Sequence, residues 1–229
     1  MSRYRFRKIR KEEIPQVLQL VLERMKRMDE QGIRQWNATN YDRVYPQSYY
    51  EECRKRGELF ALEDTEADEI VCAAVLKEND ARWDGDAPAR YLHNFVAKTG
   101  RHGMGSMFLR KAEKYARVKG KTYMRLDSAV DNPVLAEYDA FLGFPAVGNC
   151  EDGPYKGVLR QKRPASRGRQ TESFTRQESL GKFVQKITKR RFTPGNSRVI
   201  IKLHGVRKER VSAPCLGEIA VPGRQIYRR

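Results

Sequence analysis

The sequence lacks the features that mark membrane-spanning, secreted and zinc-binding proteins. Its longest uninterrupted apolar run, Ile70–Leu76, is far shorter than the roughly 20 residues of a spanning helix, and the charged N-terminus has no apolar segment typical of a signal peptide. The cysteines show no Cys-x-x-Cys spacing (Cys53, Cys72, Cys150 and Cys215), and the histidines are scattered. We therefore expect a cytoplasmic protein with reduced thiols, no metal and no membrane partner.

The sequence also lacks the common nucleotide-binding motifs, although it contains a glycine-rich turn from Gly100 to Ser106. A Walker loop requires Gly-Lys-Ser/Thr, but Gly105 is followed by Ser106 and Met107. A dinucleotide fingerprint requires a third glycine three residues after the second, and that position holds Phe108. These two classes of nucleotide-binding protein are therefore excluded.

Acidic residues are scarce in the last quarter of the chain. Residues 165–229 hold 16 Lys/Arg against 4 Asp/Glu, a net charge of +12, while residues 1–164 hold 30 against 25, a net charge of +5. The last quarter also has few large apolar side chains, so it is not expected to build its own core. We predict a folded domain over residues 1–164 and a basic, flexible extension over residues 165–229.

The hydrophobic periodicity predicts an α/β fold for residues 1–164. The predicted helices are Glu12–Met28, Gln47–Arg56, Gly103–Lys119 and Asn132–Leu142. The predicted strands are Tyr4–Ile9, Leu59–Glu63, Ile70–Lys77, Tyr91–Ala97, Tyr123–Asp127, Ala146–Cys150 and Tyr155–Arg160. Their order along the chain predicts a mostly antiparallel central sheet flanked by helices.

The glycine-rich turn lies where the strand Tyr91–Ala97 leads into a long helix. A turn in this position leaves backbone N–H groups unpaired, and the helix N-terminus adds a partial positive charge. Glycines allow a bulky anion to come close to these groups. The pattern therefore indicates a site for a diphosphate.

This order of elements resembles the GNAT superfamily of CoA-dependent N-acyltransferases over roughly the first 160 residues. That family holds the CoA pyrophosphate on a loop of the form Arg/Gln-x-x-Gly-x-Gly/Ala. Gly103 and Gly105 occupy its two small-residue positions, and Gly100, with Arg101 beside it, occupies the first. The helix from Asn132 to the Gly-Phe pair at residues 143–144 resembles the family's Asn-…-Tyr-…-Gly-Phe helix.

The resemblance implies acetyl-CoA as the cosubstrate. The CoA arm would lie between the strand ending at Ala97 and the strand beginning at Tyr123. Arg101 and His102 either support the phosphates or are solvated loop residues, and Asn132 either contacts the arm or only caps its helix. The residues implied in cofactor binding are Phe95, Val96, Ala97, Arg101, His102, Gly103, Met104, Gly105, Ser106 and Asn132.

A general base is needed because only about one lysine-like amine in a thousand or fewer is neutral at pH 7. His93 is the candidate, since imidazole titrates near neutral pH. It lies on the central strand, and strand alternation predicts that Tyr91 and Phe95 share its face. Glu78 and Asp80, just before the charged loop, are rival candidates, and a purely structural role for His93 is the alternative.

Tyr138 is the candidate acid that protonates the leaving thiolate. It lies five residues before Gly143, whereas Asp139 lies four residues before it, closer to the family's spacing. One helical step turns a side chain by about 100°, so only one of the two side chains can face the thiolate. We favour Tyr138 because a phenol keeps its proton at neutral pH. Protonation by solvent is the remaining alternative.

The sequence thus predicts an acetyl-CoA-dependent N-acetyltransferase acting on a primary amine. A loop containing Trp36, which resembles the family's acceptor wall, either lines the acceptor site or plugs the core. The alternative function is a nucleic-acid- or ribosome-associated protein that acts through basic clusters such as 189–191 and 207–210. The acceptor and the oligomeric state are not predicted.

Overall fold

The structure is a computed structural model that describes residues 2–85, 87–153 and 155–164. These residues contain all the helices and strands of the fold described below and hold the candidate site. The predicted basic extension, 165–229, lies outside the described residues. Its flexibility therefore stays a prediction. Within the described part of the chain, no helix is long and apolar enough to cross a membrane.

A seven-stranded sheet forms the middle of the fold. Its strands are β1 (Tyr4–Lys8), β2 (Leu59–Asp64), β3 (Glu69–Lys77), β4 (Ala89–Ala97), β5 (Tyr123–Ala129), β6 (Ala146–Asp152) and β7 (Tyr155–Lys162). They lie in the order β1-β2-β3-β4-β5-β7-β6, and every neighbouring pair is antiparallel except β4 and β5. The predicted mostly antiparallel sheet is confirmed.

Five α-helices flank the sheet in the part of the chain that the structure describes. They are α1 (Ile14–Glu30), α2 (Tyr41–Val44), α3 (Gln47–Lys55), α4 (Met104–Val118) and α5 (Pro133–Phe141). Sequence periodicity did not predict α2, because four residues are too few to show a helical period. A short 3₁₀ turn, Trp36–Ala38, precedes it.

The two faces of the sheet carry separate hydrophobic cores. Phe108 of α4 and Phe144 after α5 are buried against one face. Val17 of α1 packs with Val75 of β3 on the other face. The predicted apolar stripes of the two long helices are therefore the surfaces that cover the sheet, and the candidate site lies between these two layers.

β4 and β5 separate halfway along their length. Their parallel pairing joins Ala89–Leu92 to Tyr123–Leu126, and the strands continue beyond it without pairing to each other. The backbone groups of the diverging halves on these inner edges are then available to an extended guest, as at an exposed sheet edge. We call this space between residues 93–97 and residues 127–129 the strand gap.

A β-bulge in β4 lies at the start of the strand gap. Ala73 is opposite Val96, whereas Val75 is opposite His93, so β4 carries one extra residue between these pairs. Asn94, inside the bulge, has a φ of 51°, a left-handed conformation that a residue other than glycine rarely adopts. A bulge of this kind re-aims the side chains that follow it.

The bulge changes the face on which Phe95 lies. Phe95 packs on Phe108 of α4, with ring centres 5.1 Å apart. His93 is opposite Val75, which belongs to the core on the α1 face. The prediction that Tyr91, His93 and Phe95 share one face is therefore wrong for Phe95, because the extra residue interrupts the alternation of the strand.

Candidate active site

The glycine-rich turn leaves the N-terminus of α4 open. Gly103 is the N-cap of α4, and both Gly100 and Gly103 have positive φ, 81° and 79°. A Cβ placed on either residue would meet no atom within 4 Å. The Ser106 hydroxyl donates a hydrogen bond of 2.9 Å to the Gly103 carbonyl, which closes the first turn of the helix. The first N–H groups of α4 therefore face a space that can take an anion.

Tyr138 of α5 reaches this helix start at the strand gap. A Cβ built on Gly105 would lie 3.5 Å from Cζ of Phe95 and 3.8 Å from the Tyr138 hydroxyl oxygen. Burial raises the pKa of the Tyr138 phenol to about 12, and the nearby Asp139 carboxylate adds to this rise. At neutral pH Tyr138 thus keeps its proton and can donate it.

Asp139 lies in the core, beside Arg160 of β7 and Ser128 of β5. It is buried, with Oδ2 lying 3.7 Å from Nε of Arg160 on β7. Burial raises the pKa of this carboxyl to about 6, against the opposing effects of Ser128 and Arg160. The helical step of about 100° separates the two neighbours, so that Tyr138 lies at α4 and Asp139 lies in the core.

His93 belongs to a charged cluster where β4 leaves the paired region. Its Nε2 lies 3.1 Å from Oδ2 of Asp80, and its Nδ1 lies 3.0 Å from Nη2 of Arg82. Arg82 also lies 3.2 Å from Oδ1 of Asp80 and 3.3 Å from Oδ1 of Asp127. Burial opposes ionisation of Asp80, but His93 and Arg82 outweigh it and hold the pKa of Asp80 below its ordinary range.

Asp127 and Tyr155 complete the cluster and were missed in the sequence. Asp127 directly follows Leu126, the last β5 residue paired with β4, and its Oδ2 accepts a hydrogen bond of 2.6 Å from the Tyr155 hydroxyl. No motif signals them, because they come from two different strands. We call Asp80, Arg82, His93, Asp127 and Tyr155 the gap cluster.

The gap cluster also has the ligand types of a metal site. Asp80, His93 and Asp127 offer ligand atoms within 4.8 Å of one another. However, the Arg82 guanidinium contacts all three side chains. A positive charge is therefore already present at the point where a metal ion would be bound.

Glu78, one of the two rival base candidates, lies elsewhere. Its carboxylate pairs with Arg90 at 2.5 Å and with Lys121 at 3.0 Å. Arg90 is in the N-terminal part of β4, which is still paired with β5. Of the two rivals, only Asp80 contacts His93.

The predicted cofactor-binding residues lie in two kinds of place. Arg101 pairs with Glu69 at 3.0 Å and with Asp64 at 3.4 Å, so its charge is directed to the β2–β3 hairpin. His102 is an exposed turn residue. Asn132 caps α5, since its Oδ1 accepts a hydrogen bond of 3.0 Å from the Leu135 N–H. Arg101 and Asn132 are thus already bonded within the protein, and His102 faces solvent.

The remaining predicted residues line β4 and the start of α4. Val96 is buried in the core of the α1 face, and Met104 is buried in the core of the α4 face. The carbonyl oxygen of Ala97, the last residue of β4, accepts a hydrogen bond of 2.5 Å from Arg24 of α1. At these positions, contact with a guest would have to be made by the backbone.

A row of aromatic rings borders the gap cluster on the α1 face. Trp36 stacks on Tyr41 with ring centres 4.3 Å apart, and Tyr45 lies 4.6 Å from Tyr41 and 4.9 Å from Tyr49. Tyr49 donates a hydrogen bond of 2.8 Å to Oδ1 of Asn94, whose Nδ2 donates one of 2.6 Å to the Tyr41 hydroxyl. The rings therefore hold the bulge in its left-handed conformation.

The fold is that of the GNAT-family acetyltransferases. One similar structure is an acetyltransferase of this family from Listeria monocytogenes, with 20% identity and a TM-score of 0.58, covering 70% of this chain and 94% of that chain. Another is the PaiA N-acetyltransferase from Thermoplasma acidophilum in complex with coenzyme A, with 18% identity, a TM-score of 0.55 and coverages of 71% and 99%.

A third similar structure is YncA from Salmonella typhimurium with its cofactor acetyl-CoA, with 14% identity, a TM-score of 0.51 and coverages of 73% and 97%. No family model and no curated protein matches the sequence. The resemblance predicted from the sequence is therefore confirmed at the level of the fold.

Proposed function

We propose that this protein transfers an acetyl group from acetyl-CoA to a primary amine. The observation that carries the proposal is the strand gap between β4 and β5, which has the open N-terminus of α4 beside it and the Tyr138 hydroxyl at its edge. In an extended thioester with a diphosphate at one end, the diphosphate fits the N-terminus of α4, the arm fits the strand gap and the thioester sulfur lies within reach of Tyr138. Structures of the same fold contain acetyl-CoA or coenzyme A, which supports the choice of cosubstrate.

In this proposal the backbone holds the cosubstrate. The diphosphate accepts hydrogen bonds from the N–H groups that begin α4, helped by the helix dipole. The pantetheine arm lies in the strand gap beside Phe95, Val96 and Ala97 and pairs with backbone groups there. This assignment needs no free lysine or arginine, which agrees with the engagement of Arg101 by Glu69.

The chemistry then joins the two sides of the strand gap. The neutral amine attacks the thioester carbonyl, the tetrahedral intermediate expels the thiolate, and Tyr138 gives the thiolate a proton. The raised phenol pKa keeps the proton on Tyr138 at neutral pH, although it also makes the phenol a weaker acid than an unburied one. The proton that the amine loses goes to His93, whose Nδ1 is turned toward Arg82. Because Arg82 donates to Nδ1, the acceptor must displace Arg82 before His93 can serve as the base.

The test uses a glycine pair at the two ends of α4. Gly103 and Gly120 both have positive φ, 79° and 71°, with no atom within 4 Å of an added Cβ. Replacing either by Val imposes a similar backbone strain, but only Gly103→Val blocks the approach of the diphosphate. We expect acetyl-CoA to raise the melting temperature of the wild type and of Gly120→Val but not that of Gly103→Val. Equal shifts in both variants would contradict the proposal.

A second candidate function rests on the charge of residues 165–229. A net charge of +12 suits nonspecific contacts with nucleic-acid phosphates. Truncation after Pro164 tests it: retention on immobilised RNA should disappear, while the acetyl-CoA thermal shift remains. Unchanged retention would refute this second function. The cytoplasmic location stays a prediction.

A further inference from the structure

The charge at the strand gap is opposite to that of the whole protein. The chain as a whole carries a net charge of +17. Two carboxylates, Asp80 and Asp127, share the single guanidinium of Arg82. These three groups leave one negative charge, and Asp152, an exposed residue of β6, lies opposite Tyr155 of the gap cluster.

Arg82 shows what kind of group this place accepts. Its guanidinium is a cation held between two carboxylates, 3.2 Å from Asp80 and 3.3 Å from Asp127, and it donates to Nδ1 of His93 at 3.0 Å. Both carboxylates neutralise it, so it has little attraction left for an anionic guest. A carboxylate-bearing acceptor would therefore be disfavoured here, whereas a cation could compete for the same partners.

The buried part of the cluster is one hydrogen bond short. The His93 side chain is only 10% exposed, and its Nε2 lies 3.1 Å from Oδ2 of Asp80. The two groups form an ion-pair contact, but Nε2 has no hydrogen-bond partner of good geometry among the described residues. A buried polar atom of this kind has a cost that a bound ligand can remove. A rearrangement of Asp80 around a guest would restore the missing bond.

The aromatic row supplies a second surface suited to cations. Nζ of Lys77 lies 5.9 Å from the centre of the Tyr49 ring, so the row already borders one ammonium group. The Tyr45 phenol is affected by the charges of Arg82, Asp152 and Asp127, after burial, which is the largest cause of its raised pKa. Tyr45 is therefore within electrostatic range of these carboxylates, and aromatic rings near carboxylates are found in sites that bind cations.

We propose that the acceptor is an amine carrying a second positive charge, and that this second charge displaces Arg82 and is held by Asp80 and Asp127 beside Tyr45. The inference rests on the proposed acetyltransfer. The second ammonium group stays protonated, while the reacting amine lies at the strand gap. Displacement of Arg82 also frees Nδ1 of His93, so that binding of the correct acceptor exposes the base.

The experiment compares three acceptors of equal chain length: 1,4-diaminobutane, 1-aminobutane and 4-aminobutanoate. Acetyl transfer is measured as free thiol released from acetyl-CoA. We expect kcat/KM to fall by about tenfold or more from the diamine to the monoamine, which corresponds to one partly buried ion pair. We expect 4-aminobutanoate to be the poorest acceptor, because its carboxylate meets Asp80 and Asp127.

The variants test the residues that hold the second charge. Asp80→Asn and Asp127→Asn should each bring the diamine-to-monoamine ratio close to one, and Tyr45→Leu should lower it. Asp84→Asn, at an exposed position of the same loop, should keep the ratio of the wild type. Far-UV circular dichroism identifies any variant that fails to fold. The diamine-to-monoamine ratios of the folded variants then test the inference.

The outcomes separate this inference from the function on which it rests. Transfer to 1-aminobutane or 4-aminobutanoate as good as transfer to the diamine would overturn the inference and leave acetyltransfer standing. An unchanged ratio in folded Asp80→Asn and Asp127→Asn would do the same. Absence of both an acetyl-CoA thermal shift and thiol release with any acceptor would overturn the proposed function itself, and the inference with it.

Discussion

The two sides of the strand gap solve the problem of binding in different ways. On the α4 side, the groups available to a ligand are backbone N–H groups exposed by Gly100 and Gly103. On the opposite face, the available groups are the charged side chains of the gap cluster, already paired with one another. A cosubstrate with an invariant structure can rely on backbone, whereas selection among amines requires side chains that can vary.

Tyr138 lies on the α4 side, beside Gly105, and its replacement should have the largest effect on rate. Tyr138→Phe keeps the ring beside Gly105 and removes only the hydroxyl. We expect kcat to fall by about 100-fold or more, with little change in acetyl-CoA affinity, because general acid help is lost while the backbone contacts remain. Single-turnover kinetics with acetyl-CoA and an accepted amine measure the rate. Full activity would mean that solvent protonates the thiolate.

The difference between the two sides also explains what could be predicted from the sequence. The backbone side was predictable, because glycine spacing, the strand before it and the helix after it are contiguous in the chain. Strands and helices followed from their periods of 2 and 3.6 residues, and their order led to the correct fold. Tyr138 lies beside the start of α4, and its role as the acid stays a prediction.

The side-chain face of the gap was not predictable to the same extent. Asp127 and Tyr155 come from separate strands, and the register of the sheet places Asp127 near His93 and Tyr155 on Asp127. The bulge at Asn94 is a single extra residue that leaves no periodic signal, and it placed Phe95 on the unexpected face. Contacts between distant segments depend on register, which one sequence does not reveal.

Asn94 offers a way to separate backbone from side-chain contributions at the bulge. Asn94→Ala loses two hydrogen bonds to Tyr49 and Tyr41 and keeps a residue with a Cβ at a φ of 51°. We expect the free energy of unfolding to fall by about 2 kcal/mol. Asn94→Gly loses the same bonds but accepts this φ, so it should be about 1 kcal/mol more stable than the alanine variant. Urea unfolding measures both.

Equal stability of the alanine and glycine variants would show that the backbone at residue 94 is unstrained. An alanine variant as stable as the wild type would show that the tyrosine hydroxyls find other partners. Either result would weaken the idea that the aromatic row holds the bulge. The bulge would then not be the point that separates the backbone side of the strand gap from its side-chain face.

The smallest effect is expected at Asp139, the buried neighbour of Tyr138 in α5. Its pKa of about 6 is above the ordinary value of 3.8, so the folded state binds the proton more tightly than the unfolded state does. Stability from this group is therefore present below about pH 4 and is lost as the pH rises through 6. Asp139→Asn removes the buried charge and should raise stability at pH 7 by on the order of 1 kcal/mol, after the lost contacts with Ser128 and Arg160 are allowed for. Thermal unfolding of the wild type and the variant at pH 4 and pH 7 measures the gain, which should be confined to the higher pH.

Asp131→Asn, at an exposed position just before the same helix, is the matched control and should show no such difference. A gain at pH 4 equal to that at pH 7 would mean that shape, rather than charge, limits the packing of α5 behind Tyr138.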